Sequence, residues 1–130
     1  MKLEQVLRTI DGKPISKNID LDLQVDAAFG ADLMSDVLMC AQEGTLLLTG
    51  IINPQVVRTA EMVSSQAIVF VRCKIPLPET VALAEEKGIY LMACKYSMFE
   101  TCGRLFAAGM DTCEIPEPSL QQWRKMFDNK

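Results

Sequence analysis

Three apolar segments decide the fold: TLLLTG at residues 45–50, AIVFV at 67–71 and IYLMA at 89–93. They begin twenty-two residues apart, and a helix-start signal follows each one, at Asn53-Pro54, at Pro78 and at Ser97. Continuous apolar runs are typical of strands that are covered on both faces of a sheet. Helical connections favour parallel pairing with right-handed crossovers. The spacing predicts a single α/β domain with a central, mostly parallel sheet and helices on both faces.

The helix boundaries are marked by capping residues. Asn53 is the predicted N-cap of the first crossover helix, with Pro54 at its first helical position. Ser97 and Glu100 have the spacing of a capping box, which predicts a helix start at Ser97. Glycines at positions 88 and 109 stand where helix C-caps are expected.

Weaker signals organise the first forty residues. Apolar residues with helical spacing at positions 3, 6, 7 and 10 predict an N-terminal helix that ends at Asp11-Gly12. Residues 13–16 are a candidate short strand, and alternating residues 25–29 predict a strand that ends at Gly30. Asp32 is the predicted N-cap of the helix that follows.

The C-terminal part departs from the repeat. We divide the chain into an α/β domain at residues 1–110 and an extension with a short helix at residues 111–130. Residues 113–118 are a predicted extended linker, and Ser119 is the predicted cap of a helix with Leu120, Trp123 and Phe127 on one face. This helix either docks on its own domain or contacts a second subunit or partner, since aromatic residues often anchor interfaces.

Composition excludes several classes of function. The chain of 130 residues contains no histidine, which excludes His-based catalysis and His-ligated metals. A net charge of −4 argues against nucleic-acid binding. The first residues lack the pattern of a signal peptide, and no apolar run is long enough to cross a membrane. We therefore expect a cytoplasmic protein without cofactor, metal or membrane contact.

Five cysteines, at positions 40, 73, 94, 102 and 113, include no Cys-x-x-Cys pair. Metal sites normally show such close pairs, so free thiols packed as small apolar residues are the simplest interpretation. Cys73 and Cys94 each precede a lysine at a strand end. A nearby cation and a helix N-terminus favour the thiolate form of a cysteine, which keeps a reactive or redox-sensing thiol as an alternative.

Polar and cationic residues follow the three central strands, at the edge where an open parallel sheet binds ligands. The candidate anion- or ligand-binding residues are Gly50, Asn53, Arg72, Lys74, Lys95, Tyr96 and Ser97. Helix N-termini beside the cations add backbone N–H groups and partial positive charge. The alternative is an ordinary sheet edge with solvated side chains. No glycine-rich nucleotide fingerprint, nucleophile–base pair or carboxylate pair is present, so no catalytic residue is assigned.

Several stretches resemble the DRTGG domain family in order and spacing. They are FGADLMSDVLMCAQEG at residues 29–44, LLLTG at 46–50 and KYSMFET at 95–101, and the resemblance covers about residues 3–110. The motif that names the family is altered. Gly50-Ile51-Ile52 stands where the family has Gly-Asp-Arg, and Val71-Arg72-Cys73 stands where it has Thr-Gly-Gly.

The resemblance implies an α/β module similar to the N-terminal domain of HPr kinase/phosphorylase. Such modules accompany CBS domains in regulatory pyrophosphatases and precede phosphotransacetylases, are commonly dimeric, and have no established catalytic residues. Stand-alone versions are often encoded near iron-only hydrogenase components in anaerobes.

We therefore expect a non-catalytic regulatory or ligand-sensing module that binds a nucleotide or another phosphorylated small molecule. The alternative is an accessory or scaffold subunit of an oxidoreductase complex of hydrogenase type. A homodimer is expected in either case, because eight methionines and a positive mean hydropathy leave apolar surface to cover.

Overall fold

A computed structural model describes residues 1–128, which form one sheet and the helices around it. The strands are β1 (Lys13–Pro14), β2 (Ala27–Gly30), β3 (Thr45–Thr49), β4 (Ala67–Phe70), β5 (Tyr90–Ala93) and β6 (Asp111–Thr112). The helices are α1 (Leu3–Thr9), α2 (Met34–Cys40), α3 (Gln55–Met62), α4 (Pro78–Lys87), α5 (Met98–Ala107) and α6 (Glu117–Phe127).

The sheet has the order β1-β5-β4-β3-β2-β6 over the described residues. All neighbouring pairs from β5 to β6 are parallel, and only β1 pairs antiparallel, on β5. The three segments with the twenty-two-residue spacing are β3, β4 and β5, side by side in the centre. The prediction of a single α/β domain with a mostly parallel sheet and helices on both faces is confirmed.

Alternate residues of the central strands pack into two separate core layers, as the period of two requires. Leu46, Leu48 and Val69 face the layer formed with α1 and α5. Leu47 and Ile68 face the layer formed with α2, α3 and α4. Every residue of β3 and β4 is buried, because both faces of the sheet are covered.

The chain leaves β4 and β5 toward opposite faces of the sheet. After β2, β3 and β4, the crossover helices α2, α3 and α4 pack on one face. After β5, α5 packs on the other face and leads back across the sheet to β6 at the far edge. Such a change of direction between adjacent strands marks the edge at which an open α/β sheet places its ligand.

Several predicted boundaries are confirmed and others are wrong. Ser97 is the N-cap of α5, and its Oγ accepts a hydrogen bond from the Glu100 amide at 3.2 Å. Gly88 is the left-handed C-cap of α4, with φ of 69°. Asp32, in contrast, does not cap α2, whose N-cap is Leu33. Asp32 is turned away from the helix because its carboxylate accepts bonds from the end of β3.

The C-terminal segment also differs from its prediction. Asp111 and Thr112 form β6, a parallel edge strand on β2, which the sequence pattern did not indicate. The last helix begins at Glu117 rather than after Ser119. The reason is that Pro118 suits the first turn of α6. The N–H groups of a first turn form no hydrogen bond within the helix, so a proline there removes none.

No helix within residues 1–128 is both long enough and apolar enough to cross a membrane.

Candidate functional site

The loops that follow β4 and β5 are joined by main-chain hydrogen bonds. The Arg72 amide donates to the Tyr96 carbonyl at 2.7 Å, and the Cys73 amide donates to the Cys94 carbonyl at 3.1 Å. These bonds extend the pairing of β4 and β5 past the ends of the strands. They hold the predicted residues Arg72, Lys95 and Tyr96 at one place on the carboxyl edge.

The loop after β4 contains a tight turn with unusual backbone angles. Arg72 and Cys73 have φ of 57° and 61°, in the left-handed region that side chains with a Cβ disfavour. The Lys74 amide closes the turn on the Val71 carbonyl at 3.1 Å. Two successive left-handed residues define a type I′ turn, which glycine adopts without strain. The sequence resemblance predicts the glycine pair of the DRTGG motif at these two positions.

Three cations surround this turn. Arg72 and Lys95 are exposed, and Lys74 is half-buried. The Lys95 Nζ lies 4.0 Å from an Asp11 carboxylate oxygen, and the Lys95 side chain is 75% exposed. An ion pair this long and this exposed stabilises the fold little, so Lys95 is available to a ligand.

Arg104 is a fourth cation at this site, and sequence reasoning missed it. Its guanidinium lies over the Tyr96 ring, 4.1 Å from the ring centroid. Nε donates to a Glu100 carboxylate oxygen at 2.9 Å, and this hydrogen bond is the main cause that raises the pKa of Arg104. The available signal was the i,i+4 spacing of Glu100 and Arg104 on the helix that begins at Ser97.

Beyond the carboxyl end of β3, the Asp32 carboxylate accepts hydrogen bonds from the donors at the end of that strand. Asp32 Oδ1 accepts from the Gly50 amide at 2.8 Å and from Thr49 Oγ1 at 3.1 Å. Asn53 Oδ1 accepts from the Gln55 amide at 3.0 Å, which is the bond predicted for an N-cap side chain, although α3 begins at Gln55 and its N-cap is Pro54. Gly50 and Asn53 thus lie beside the cationic region, with their polar groups engaged within the chain.

The thiols differ in exposure. Cys73 is exposed, and its Sγ lies 3.7 Å from the Lys95 carbonyl oxygen. Cys94 is buried with Sγ 3.3 Å from Thr101 Oγ1. Burial raises the pKa of Cys102. Among residues 1–128, no group of three or more Cys, Asp or Glu side chains is arranged to hold a metal ion.

Neither protein-family models nor curated proteins gave a match to this chain. Among solved structures, the fold is similar to the CBS and DRTGG domains in the regulatory region of Clostridium perfringens pyrophosphatase, crystallised with its activator diadenosine tetraphosphate. The TM-score is 0.59 at 10% identity, over 98% of this chain and 61% of that chain.

A likeness at this identity shows the fold alone, and this chain spans less than two thirds of the pyrophosphatase regulatory region. The expected DRTGG-like fold is confirmed. Similarity to HPr kinase/phosphorylase stays a prediction.

Proposed function

We propose that this protein is a non-catalytic regulatory module that binds a nucleotide or another phosphorylated small molecule beyond the carboxyl ends of β4 and β5. One observation carries the proposal. The loops at the edge where the chain leaves adjacent strands toward opposite faces carry three cations, Arg72, Lys74 and Lys95. Open α/β sheets bind ligands at such points.

Each side chain of the site has a distinct role in this proposal. Arg72 would hold a phosphate through its two-pronged donor geometry, while Lys74 and Lys95 act as point charges. Tyr96, half-buried beneath the Arg104 guanidinium, offers an aromatic surface for a base or sugar. Ser97 fixes the start of α5 at the same edge, and Gly50 and Asn53 border the site on the β3 side.

The solved regulatory region supports the ligand class, because its activator is a nucleotide with several phosphates. Its regulatory role also agrees with a chain that has no histidine and no nucleophile–base pair. We further propose that residues 1–110 are the ligand-binding domain, that residues 111–130 extend it, and that the module acts as a cytoplasmic homodimer.

Calorimetry with diadenosine tetraphosphate, ATP and AMP tests the proposal. We expect binding that weakens with added salt and falls about tenfold or more in Arg72→Ala and Lys95→Ala, since charge-assisted contacts are lost. Lys87→Ala is the matched control, because Lys87 also forms an exposed ion pair, with Glu61, but lies at the opposite end of α4. This control should bind as the parent does.

Alkylation of Cys73 provides a second measurement. Cys73 is the exposed cysteine among those in the described residues, so iodoacetamide should label it first. A ligand at the neighbouring cations should slow labelling of Cys73 and leave Cys40, on α2, unchanged. If no phosphorylated compound binds or protects Cys73, the ligand-sensing function is wrong and the accessory-subunit hypothesis replaces it.

A further inference from the structure

An apolar groove of about 450 Å³ lies between α5 and the β2–β6 edge of the sheet. Leu48 and Met110 contribute to its lining, and Phe99 and Phe106 project from α5. The two phenylalanines are 90% and 68% exposed, respectively. Exposed aromatic side chains that border an apolar groove are typical of a protein-interaction surface.

A second apolar surface lies on α6, which has no buried residue. Trp123 and Phe127 are one helical turn apart, and their ring centroids are 4.5 Å from each other at an interplanar angle of 39°. They are 60% and 53% exposed. Because side chains at i and i+4 share a helix face, the two rings form one apolar ridge, which we call the α6 ridge.

The α6 ridge does not cover the groove of its own chain. The residues that line the groove include none from α6. The first turn of α6 instead shares a cavity with the end of α2, through Leu120 and Cys40. Since α2 packs on the face opposite α5, α6 begins on the face opposite the groove, beside the same sheet edge.

We propose that the groove is filled by the α6 ridge of a second copy of this chain, and reciprocally. The inference deepens the homodimer of the proposed function and rests on that part of it. A twofold axis along the β6 edge exchanges the two faces of the sheet, so it places each ridge beside the partner groove. Such an isologous contact closes as a dimer.

Buried area supports this occupant. Phe99, Phe106, Trp123 and Phe127, at about 200 Å² each and weighted by exposure, supply about 500 Å² per chain. The pair would bury about 1,000 Å² from these rings alone, close to the roughly 1,200 Å² of a small specific interface.

The first experiment uses Trp123, the only tryptophan in the sequence, as a reporter. Sedimentation of the full chain should show a dimer at micromolar concentration. Dilution should dissociate it and shift the Trp123 emission to longer wavelength as the ring becomes exposed. Phe99→Gln/Phe106→Gln should weaken dimerisation about tenfold or more, and Met62→Gln, at an equally exposed apolar residue on α3, should not.

The second experiment tests which surfaces meet. Trp123→Gln/Phe127→Gln keeps an intact groove, and Phe99→Gln/Phe106→Gln keeps an intact ridge. Their mixture should form a heterodimer more tightly than either variant self-associates, because one ridge–groove contact is restored. Interfaces of ridge with ridge, or groove with groove, would show no such rescue.

A monomeric parent overturns both the homodimer and this inference. A dimer that survives either double substitution, or a mixture without rescue, overturns the inference alone. Nucleotide binding at Arg72 is measured separately and does not depend on either result. Circular dichroism of each variant confirms that exposed-site substitutions leave the fold intact.

Discussion

The turn after β4 makes a quantitative prediction about strain. Arg72 and Cys73 both adopt left-handed φ, at 57° and 61°. For a residue with a Cβ, this conformation costs roughly 1–2 kcal/mol. Glycine removes that cost, although its larger entropy in the unfolded chain destabilises the folded state by about 0.5–1 kcal/mol. Each substitution to glycine should therefore stabilise the fold by about 0.5–1 kcal/mol.

The native contacts do not offset this gain. Both residues anchor the turn through main-chain amides, to the carbonyls of Tyr96 and Cys94, and glycine keeps these donors. Both side chains are exposed, and the Cys73 thiol makes only a long contact of 3.7 Å. The double variant Arg72→Gly/Cys73→Gly should thus be about 1–2 kcal/mol more stable, which raises Tm by about 3–8 °C in a domain of this size.

Thermal and urea unfolding of the parent, the double glycine variant and Arg72→Ala/Cys73→Ala measure the effect. The alanine variant removes the same side chains but keeps both Cβ atoms, so it should not gain stability. A double glycine variant that is no more stable than the alanine variant would refute the strain argument. Under the proposed function, the glycine variant also loses nucleotide affinity, which would explain why a strained pair is retained at this site.

Two further predictions concern other positions. Gly44 has φ of +83°, and a Cβ there would meet the Asp26 carboxylate, so Gly44→Ala should lower the free energy of unfolding by about 1–2 kcal/mol. Gly103 lies in open space on α5, so Gly103→Ala should raise the free energy of unfolding by about 0.5–1 kcal/mol. Equal effects of the two substitutions would contradict the argument. Burial raises the pKa of Cys102, so the folded state holds this proton more tightly than the unfolded state. The stability that this proton contributes is present below about pH 8.5 and is lost as pH rises through the folded pKa. Urea unfolding from pH 8 to 10 should therefore show a steeper fall in the free energy of unfolding for the parent than for Cys102→Ala.

The central strands and most helix starts could be predicted because their signals are local. An apolar run such as residues 67–71 must be buried whichever strand lies beside it. Ser97 caps its helix through an amide three residues away, and Pro78 suits the first turn wherever the helix packs. Such features depend on residues a few positions apart in the chain, so both partners of each interaction can be identified from the sequence.

The role of Asp32 could not be predicted in the same way. An aspartate before a helical stripe is typical of an N-cap. The competing donors, the Gly50 amide and the Thr49 hydroxyl, come from the adjacent strand and approach only when β2 and β3 pair. Strand β6 was missed for a related reason, because two residues without alternation become a strand only by pairing with the exposed edge of β2.

The α/β class and the residues that follow each strand could be predicted from the order of amino acids, since both depend on local burial and capping. Packing between distant segments sets the faces toward which the chain leaves the neighbouring strands β4 and β5. That arrangement brings Arg72, Lys95 and Tyr96 together with Arg104 at the carboxyl edge. It also leaves the groove and the start of α6 on opposite faces of one edge, because helix packing across the sheet, not chain order, sets which surfaces remain uncovered.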